Sequence, residues 1–167
     1  LLTACHRRIE RQLASLDRLR RHLPEHHADA DARTAARAIL RYFDTAAPHH
    51  HDDEEASLFP RLIAAAPEIA PIAAALQKEH RRLDARWQKL RPLLAAIAIG
   101  NGAFLPTRGV ADFRTAYTTH LQREEADVLP RAAAVLDAAT LRTIGQEMAA
   151  RRDVAPETEA AGLARFA

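Results

Sequence analysis

The sequence predicts an all-α protein, a bundle of four long helices arranged as two related halves, with a short additional C-terminal helix. Composition is the first reason: alanine, leucine and arginine dominate, β-branched residues are sparse, and five glycines interrupt 167 residues, which favours helix at almost every position. Apolar residues recur at helical spacing, which is the second reason. The third is an internal repeat that pairs the helices.

The first helix is expected over roughly residues 2–22, where Leu2, Ile9, Leu13, Leu16 and Leu19 or Leu23 share a face and Pro24 stops it. The second runs from about Asp31 to Ala66, with Pro48 and Pro60 each expected to kink it by removing a backbone donor. The third begins near residues 67–71, since proline is tolerated in a first turn, and ends at Gly100-Asn101-Gly102. A fourth spans about Thr107 to Val135, and the short fifth, Ala138 to Arg151, packs against the outside. Residues 1–152 thus form one domain and 153–167 a loosely held tail.

Within this framework, HHDDEEASLFPRL at 50–62 has a counterpart in HLQREEADVLPRA at 120–132, at an offset of 70 residues. CHRRIERQL at 5–13 resembles EHRRLDARW at 79–87, at an offset of 74. Each half therefore carries a His-Arg-Arg helix followed by a His-x-x-x-Glu-Glu helix, and two such halves facing each other bring four equivalent faces to one core.

Other function classes find little support. The 24 Lys and Arg nearly balance 22 Asp and Glu, for a net charge of +2, and arginine is spread without an aromatic-studded basic stripe, so no nucleic-acid partner is expected. No apolar run approaches the roughly 20 residues needed to span a bilayer, so no membrane association is expected either. A single cysteine, Cys5, makes no disulfide framework or thiolate cluster within the chain, and a reducing cytoplasm is the expected compartment. A homodimer is compatible with the sequence.

The spacing carries the chemistry. Residues four apart lie on one helix face about 6 Å apart along the axis, so His50 with Glu54, and His120 with Glu124, each aim an imidazole and a carboxylate in one direction. His6 and His80 complete a set of four imidazoles and two carboxylates. Counting also permits His51 with Glu55, but the repeat would then place Leu121, which cannot ligate, opposite His51. With His50 and Glu54 facing in, His49, His51, Asp52 and Asp53 fall mostly on the solvated side, and Glu55 and Glu125 lie beside the ligands or at the mouth. Cys5 points about 100° away from His6 on its helix and is not counted as a ligand. Tyr117 and Trp87 are candidates to line the site, Trp87 reading first as core packing. Imidazole and carboxylate without thiolate suit iron, manganese or zinc, and two glutamates from opposing helices can each bridge a metal pair about 3.5–4 Å apart. Ferritin-like bundles use Glu-x-x-His, which occurs nowhere in this chain.

HHDDEEASLFPRL, KEHRRLD and HLQREEADVLP resemble the hemerythrin-like, or HHE cation-binding, domain, over essentially residues 6–132. The resemblance implies an up-and-down bundle around a non-haem di-iron centre bridged by two carboxylates and an oxo or hydroxo group. It makes His6, His50, His80 and His120 terminal ligands and Glu54 and Glu124 the bridges. Oxygen-carrying members place a fifth histidine four residues before the one matching His80, where this chain has Leu76, and their second bridge is an Asp five residues beyond its histidine. Both departures resemble the four-His, two-Glu branch associated with iron-sulfur cluster repair, whose members usually carry an additional cysteine-bearing domain. Seven protein and bridge groups fill roughly ten of about twelve coordination positions, leaving about one open on each metal. The expected ligands are oxygen, nitric oxide or peroxide, with iron donation as a further role. A di-iron oxidoreductase and a metal- or oxygen-sensing module are the alternatives.

Overall fold

The computed structural model describes residues 2–102 and 104–152; the expected tail at 153–167 lies outside them. Among the described residues there is helix and no strand. The first helix, Leu2–His26, buries Cys5, His6, Ile9, Leu13, Leu16, Leu19 and Leu23 along one stripe. Pro24 does not stop it but sits inside its last turn. The helix ends where His27 adopts a φ of 54° and its N–H donates to the Leu23 carbonyl at 2.8 Å. So near the end, proline removes one backbone donor without breaking any later turn. Asp29 then caps the second helix by accepting the Ala32 N–H at 2.8 Å.

The second helix is one rod of five segments. It is α-helical over Ala30–Arg41, Ala47–Asp52 and Phe59–Ala65, and widens into π turns over Tyr42–Ala46 and Asp53–Leu58. Where kinks were expected at Pro48 and Pro60 the helix takes these π turns, each ending two residues before its proline. In both, the residue preceding proline donates its N–H five residues back, Ala47 to Tyr42 and Phe59 to Glu54. The third helix follows a 3₁₀ turn, Pro67–Ile69, and covers Ala70–Ala98. It closes at Gly100, φ 85°, with the Gly100 and Asn101 N–H groups on the Ile97 and Ala96 carbonyls. The fourth helix repeats the second, with Thr107–Arg123 leading into a π turn, Glu124–Val128, and then Leu129–Val135. Leu129, before Pro130, donates to the Glu124 carbonyl.

The π turns solve a register problem. His50, Glu54, Leu58 and Leu62 are all buried, as are His120, Glu124, Val128 and Ala132. In a straight α-helix each four-residue step drifts by about 40°, so the last member of either series would have rotated away from the core. Wider turns after Glu54 and Glu124 absorb the drift.

The first helix packs on the second and fourth, and the third packs on the same two, which closes an up-and-down ring. Two apolar clusters fill it. One joins Ile9 to Leu23, Ile39 to Ala47, Leu83 to Ile97 and Val110 to Leu121. The other joins Leu58, Phe59, Leu62, Leu76, Val128 and Ala132 with Ile144 and Met148. On every long helix the histidines and glutamates of the repeat fall between the clusters or at their border. Of the first helix only Leu2 reaches the second cluster. The C-terminal helix, Ala138–Arg151, fills that place with Ile144 and Met148.

A polar clasp fixes this fifth helix. Asp53 is fully buried rather than solvated, its carboxylate accepting from Arg151 at 2.9 Å and Arg152 at 2.5 Å. Ser57 donates to Glu147 at 2.6 Å, and Arg61 pairs with the same carboxylate. The π turn that begins at Asp53 swings it toward the fifth helix, where two guanidinium groups offset its desolvation. Asp53→Asn should cost about 1–2 kcal/mol, discounted because both arginines are partly exposed. Hydrogen exchange should show lost protection confined to residues 138–151. Unchanged exchange there would mean that the apolar contacts of Ile144 and Met148 alone hold the helix.

Candidate metal centre

The polar layer between the two clusters consists of six side chains, one or two from each long helix. His6, His50, Glu54, His80, His120 and Glu124 are all at most 4% exposed. These are the six residues that the repeat singled out, and the fold brings them together. His6 enters from the first helix, His50 and Glu54 from the second, His80 from the third, and His120 and Glu124 from the fourth.

Their reactive atoms converge. His6 Nε2 lies 3.2 Å from a Glu124 oxygen and His50 Nε2 3.8 Å from the same oxygen. His120 Nε2 and His80 Nε2 lie 2.6 and 3.6 Å from the other Glu124 oxygen. Glu54 reaches His80 at 3.3 Å and His50 at 3.9 Å. In this arrangement the four Nε2 atoms and all four carboxylate oxygens have no hydrogen-bonding partner. An orphaned buried polar atom costs about 1–3 kcal/mol, and eight in one layer make a donor set suited to a cation. They fall into two overlapping four-donor sets, His6, His50, Glu54 and Glu124, and Glu54, His80, His120 and Glu124, each within 4.8 Å. None of the ligating clusters among the described residues includes Cys5.

The outward ring nitrogens are held by a second set of carboxylates. Glu125 meets His6 Nδ1 at 3.0 Å, Glu55 meets His80 Nδ1 at 2.6 Å, and Glu79 meets His120 Nδ1 at 3.0 Å while pairing with Arg123. Each Nδ1–H donated outward leaves Nε2 as the inward lone pair and fixes the ring's orientation. Glu55 and Glu125 were expected beside the ligands. Glu79 was not singled out by spacing, because it serves a histidine on the neighbouring helix rather than its own neighbour His80. His50 Nδ1 has no such partner.

Electrostatics follow from burial. Desolvation beside Glu124 pushes the Glu54 carboxyl well above its ordinary range. For Glu124, burial also favours the neutral acid, but the imidazoles of His120, His50, His6 and His80 outweigh it and hold the carboxyl well below its usual value. Burial lowers His50 despite Glu124, whereas at His6 Glu124 and Glu125 overcome burial and raise it. A multivalent cation in the layer would let both carboxylates ionise together.

His51 departs from its expected solvated position. It turns inward and stacks on His80, with ring centroids 4.0 Å apart and planes 10° from parallel, and its Nε2 lies 3.3 Å from the Tyr117 hydroxyl. The π turns on either side of His50 and His51 broaden the inward face enough to take both. Asp52 is exposed, as expected, whereas His49 is half-buried with its Nδ1 enclosed. Trp87 is buried, donates its indole N–H to Asp44 at 2.9 Å, and packs with Phe43 and Phe113.

Comparison with known proteins agrees with this arrangement. A family model described as the hemerythrin HHE cation binding domain matches residues 1–132. A relative from Haemophilus influenzae, described as an uncharacterized protein, is 31% identical over 154 residues, 92% of this chain and 89% of the relative. No described helix is long and apolar enough to cross a membrane. With four imidazoles and two carboxylates converged in one buried layer and the family model spanning all four long helices, the chain belongs to the hemerythrin HHE cation-binding family.

Proposed function

We propose that the protein is a non-haem di-iron protein that binds oxygen, nitric oxide or peroxide, or yields iron, in a stress response or the repair of iron centres. The observation that carries this reading is the pair of overlapping donor sets sharing Glu54 and Glu124. His6 and His50 would hold one ion, His80 and His120 the other, and the two glutamates would bridge them. The orphaned nitrogens and oxygens fit such ions, and the all-nitrogen-and-oxygen donor set accepts iron, with manganese or zinc as substitutes. When bound, a di-iron centre would supply reversible small-molecule binding or redox exchange. The side chains supply the rest: Glu125, Glu55 and Glu79 orient three imidazoles, and the apolar clusters on both sides keep bulk water out. Leu76 is fully buried among Leu58, Phe59 and Ala73, so no fifth imidazole stands where oxygen carriers have one. That absence supports an exchangeable centre over a dedicated oxygen carrier.

Anaerobic reconstitution with ferrous iron should saturate at about two ions per chain and raise the melting temperature, since a ligand binding only the folded state stabilises it. His50→Ala should lose most of one equivalent. Saturation at one ion, or none, would remove the di-iron reading.

The Glu54 shift gives a pH dependence. Its carboxyl is raised in the metal-free fold, so the stability it contributes is complete below the ordinary carboxylate value and is lost as pH rises through the shifted one. Metal loading displaces that proton. The gap in melting temperature between loaded and metal-free protein should therefore widen with rising pH from about 4.5 upward, and calorimetry in buffers of different ionisation enthalpy should register proton release. No buffer dependence would show that Glu54 binds no metal.

A sensing role is the second reading, favoured by the position of Asp53. It adjoins Glu54 and is clasped by Arg151 and Arg152, so metal occupancy and docking of the C-terminal helix share one π turn. Metal-dependent proteolysis of residues 138–151 would favour sensing, and turnover of peroxide or nitric oxide would favour an oxidoreductase.

A further inference from the structure

A cleft of about 280 Å³ reaches the polar layer from one side, lined by Phe43, His51, His80, Trp87, Phe113 and Tyr117, with Asp52, Glu55, Arg81 and Asp84 toward its mouth. Neither His6 nor His50 lines it. Of the six layer residues His80 alone lines it, with His51 and Tyr117 beside it.

His51, His80 and His120 each bring one ring nitrogen within 4.8 Å of the others, which raises the question of whether His51 is itself a ligand. Ring geometry answers it. An imidazole ligates through a lone pair in its own plane, with the metal about 2 Å away. The His51 and His80 planes are 10° from parallel at 4.0 Å, so an ion in the plane of one ring lies well out of the plane of the other. The two cannot serve one ion in this arrangement. What His51 offers instead is a hydrogen. A neutral imidazole and a phenol carry one polar hydrogen each, and the contact between His51 Nε2 and Tyr117 Oη uses one of them. Whichever tautomer His51 adopts, the pair retains one donor. Tyr117 is 2% exposed, and among the aromatic walls of the cleft a hydrogen bond is stronger than in water.

We propose that His51 and Tyr117 form a donor pair for a small ligand with an acceptor atom, such as an azide- or peroxide-like anion, that enters by this cleft and binds at the His80 and His120 position. The inference rests on the di-iron reading and makes the two halves of the repeat functionally unlike. The cleft and the donor pair both lie beside His80, on the side of the second metal position. A ligand in the cleft has His51, Tyr117 and His80 along one wall, so its acceptor atom meets the donor pair next to the imidazole that would hold the ion.

Azide is the probe. In iron-reconstituted protein, visible absorbance titration should give azide dissociation constants roughly 10- to 100-fold weaker in His51→Leu than in the unmodified chain. His51→Gln, which keeps a donor, should recover part of the loss. Tyr117→Phe should weaken azide binding less than His51→Leu, since it removes one hydroxyl and leaves an imidazole N–H. All three variants should keep the full iron content. Full iron with unchanged azide affinity in His51→Leu and Tyr117→Phe would overturn the donor pair and leave the di-iron reading standing. Loss of one iron in both His51 variants, with iron retained in Tyr117→Phe, would make His51 a ligand and overturn the proposal. An unmodified chain that takes up no iron would overturn the proposal together with the reading on which it rests.

Discussion

The structure is organised by one constraint: eight polar atoms that want a cation are buried where a four-helix bundle would otherwise have continuous apolar core. Leucine and phenylalanine fill the bundle above and below, but across the layer of His6, His50, Glu54, His80, His120 and Glu124 the helices must hold ligands at fixed separations. Other features answer that demand. The π turns keep His50 with Glu54, and His120 with Glu124, in register with the apolar residues beyond them. The outer carboxylates Glu55, Glu79 and Glu125 reach between helices to set three ring orientations. Each helix is thus tied to a neighbour through a ligand.

Much of this was legible in the sequence, because a ligand pair at four-residue spacing and its repetition are local patterns. The inward choice of His50 over His51 followed from matching Leu58-Phe59-Pro60 with Val128-Leu129-Pro130, and the buried positions of His50 and Glu54 agree with it. The errors at His51 and Asp53 share one cause: the register assumed a constant turn of about 100° per residue. Under that rule His51 and Asp53 belong outside. Two π turns flanking a six-residue α segment break the rule, bringing His51 onto His80 and Asp53 onto the fifth helix. Each of these turns precedes a proline, so the prolines marked the places where geometry would change without stating how. Pairings between helices, such as Glu79 with His120, had no local signature.

The repeat is also less symmetrical than its sequence. Three imidazoles have an outer carboxylate and His50 does not. At the offset of the first and third helices, Cys5 occupies the place of Glu79, so the group that orients His120 has no carboxylate counterpart for His50. Duplicated backbones here carry unlike surroundings, and a residue cannot be assumed to behave as its repeat-mate does.

The clasp of the fifth helix sets it apart from the rest of the fold in how it responds to its surroundings. The bundle is held by buried leucine and phenylalanine, which dissolved salt scarcely weakens. The fifth helix is held in part by Asp53, Glu147, Arg61, Arg151 and Arg152, charges whose attraction small ions screen wherever water reaches them. The molecule therefore has two levels of order, a bundle whose apolar clusters respond little to ionic conditions and an outer helix whose partly exposed arginines and Glu147 respond more. Because the inner end of that grip is the residue next to Glu54, the ionic composition outside the protein has a short mechanical path to the metal layer inside it.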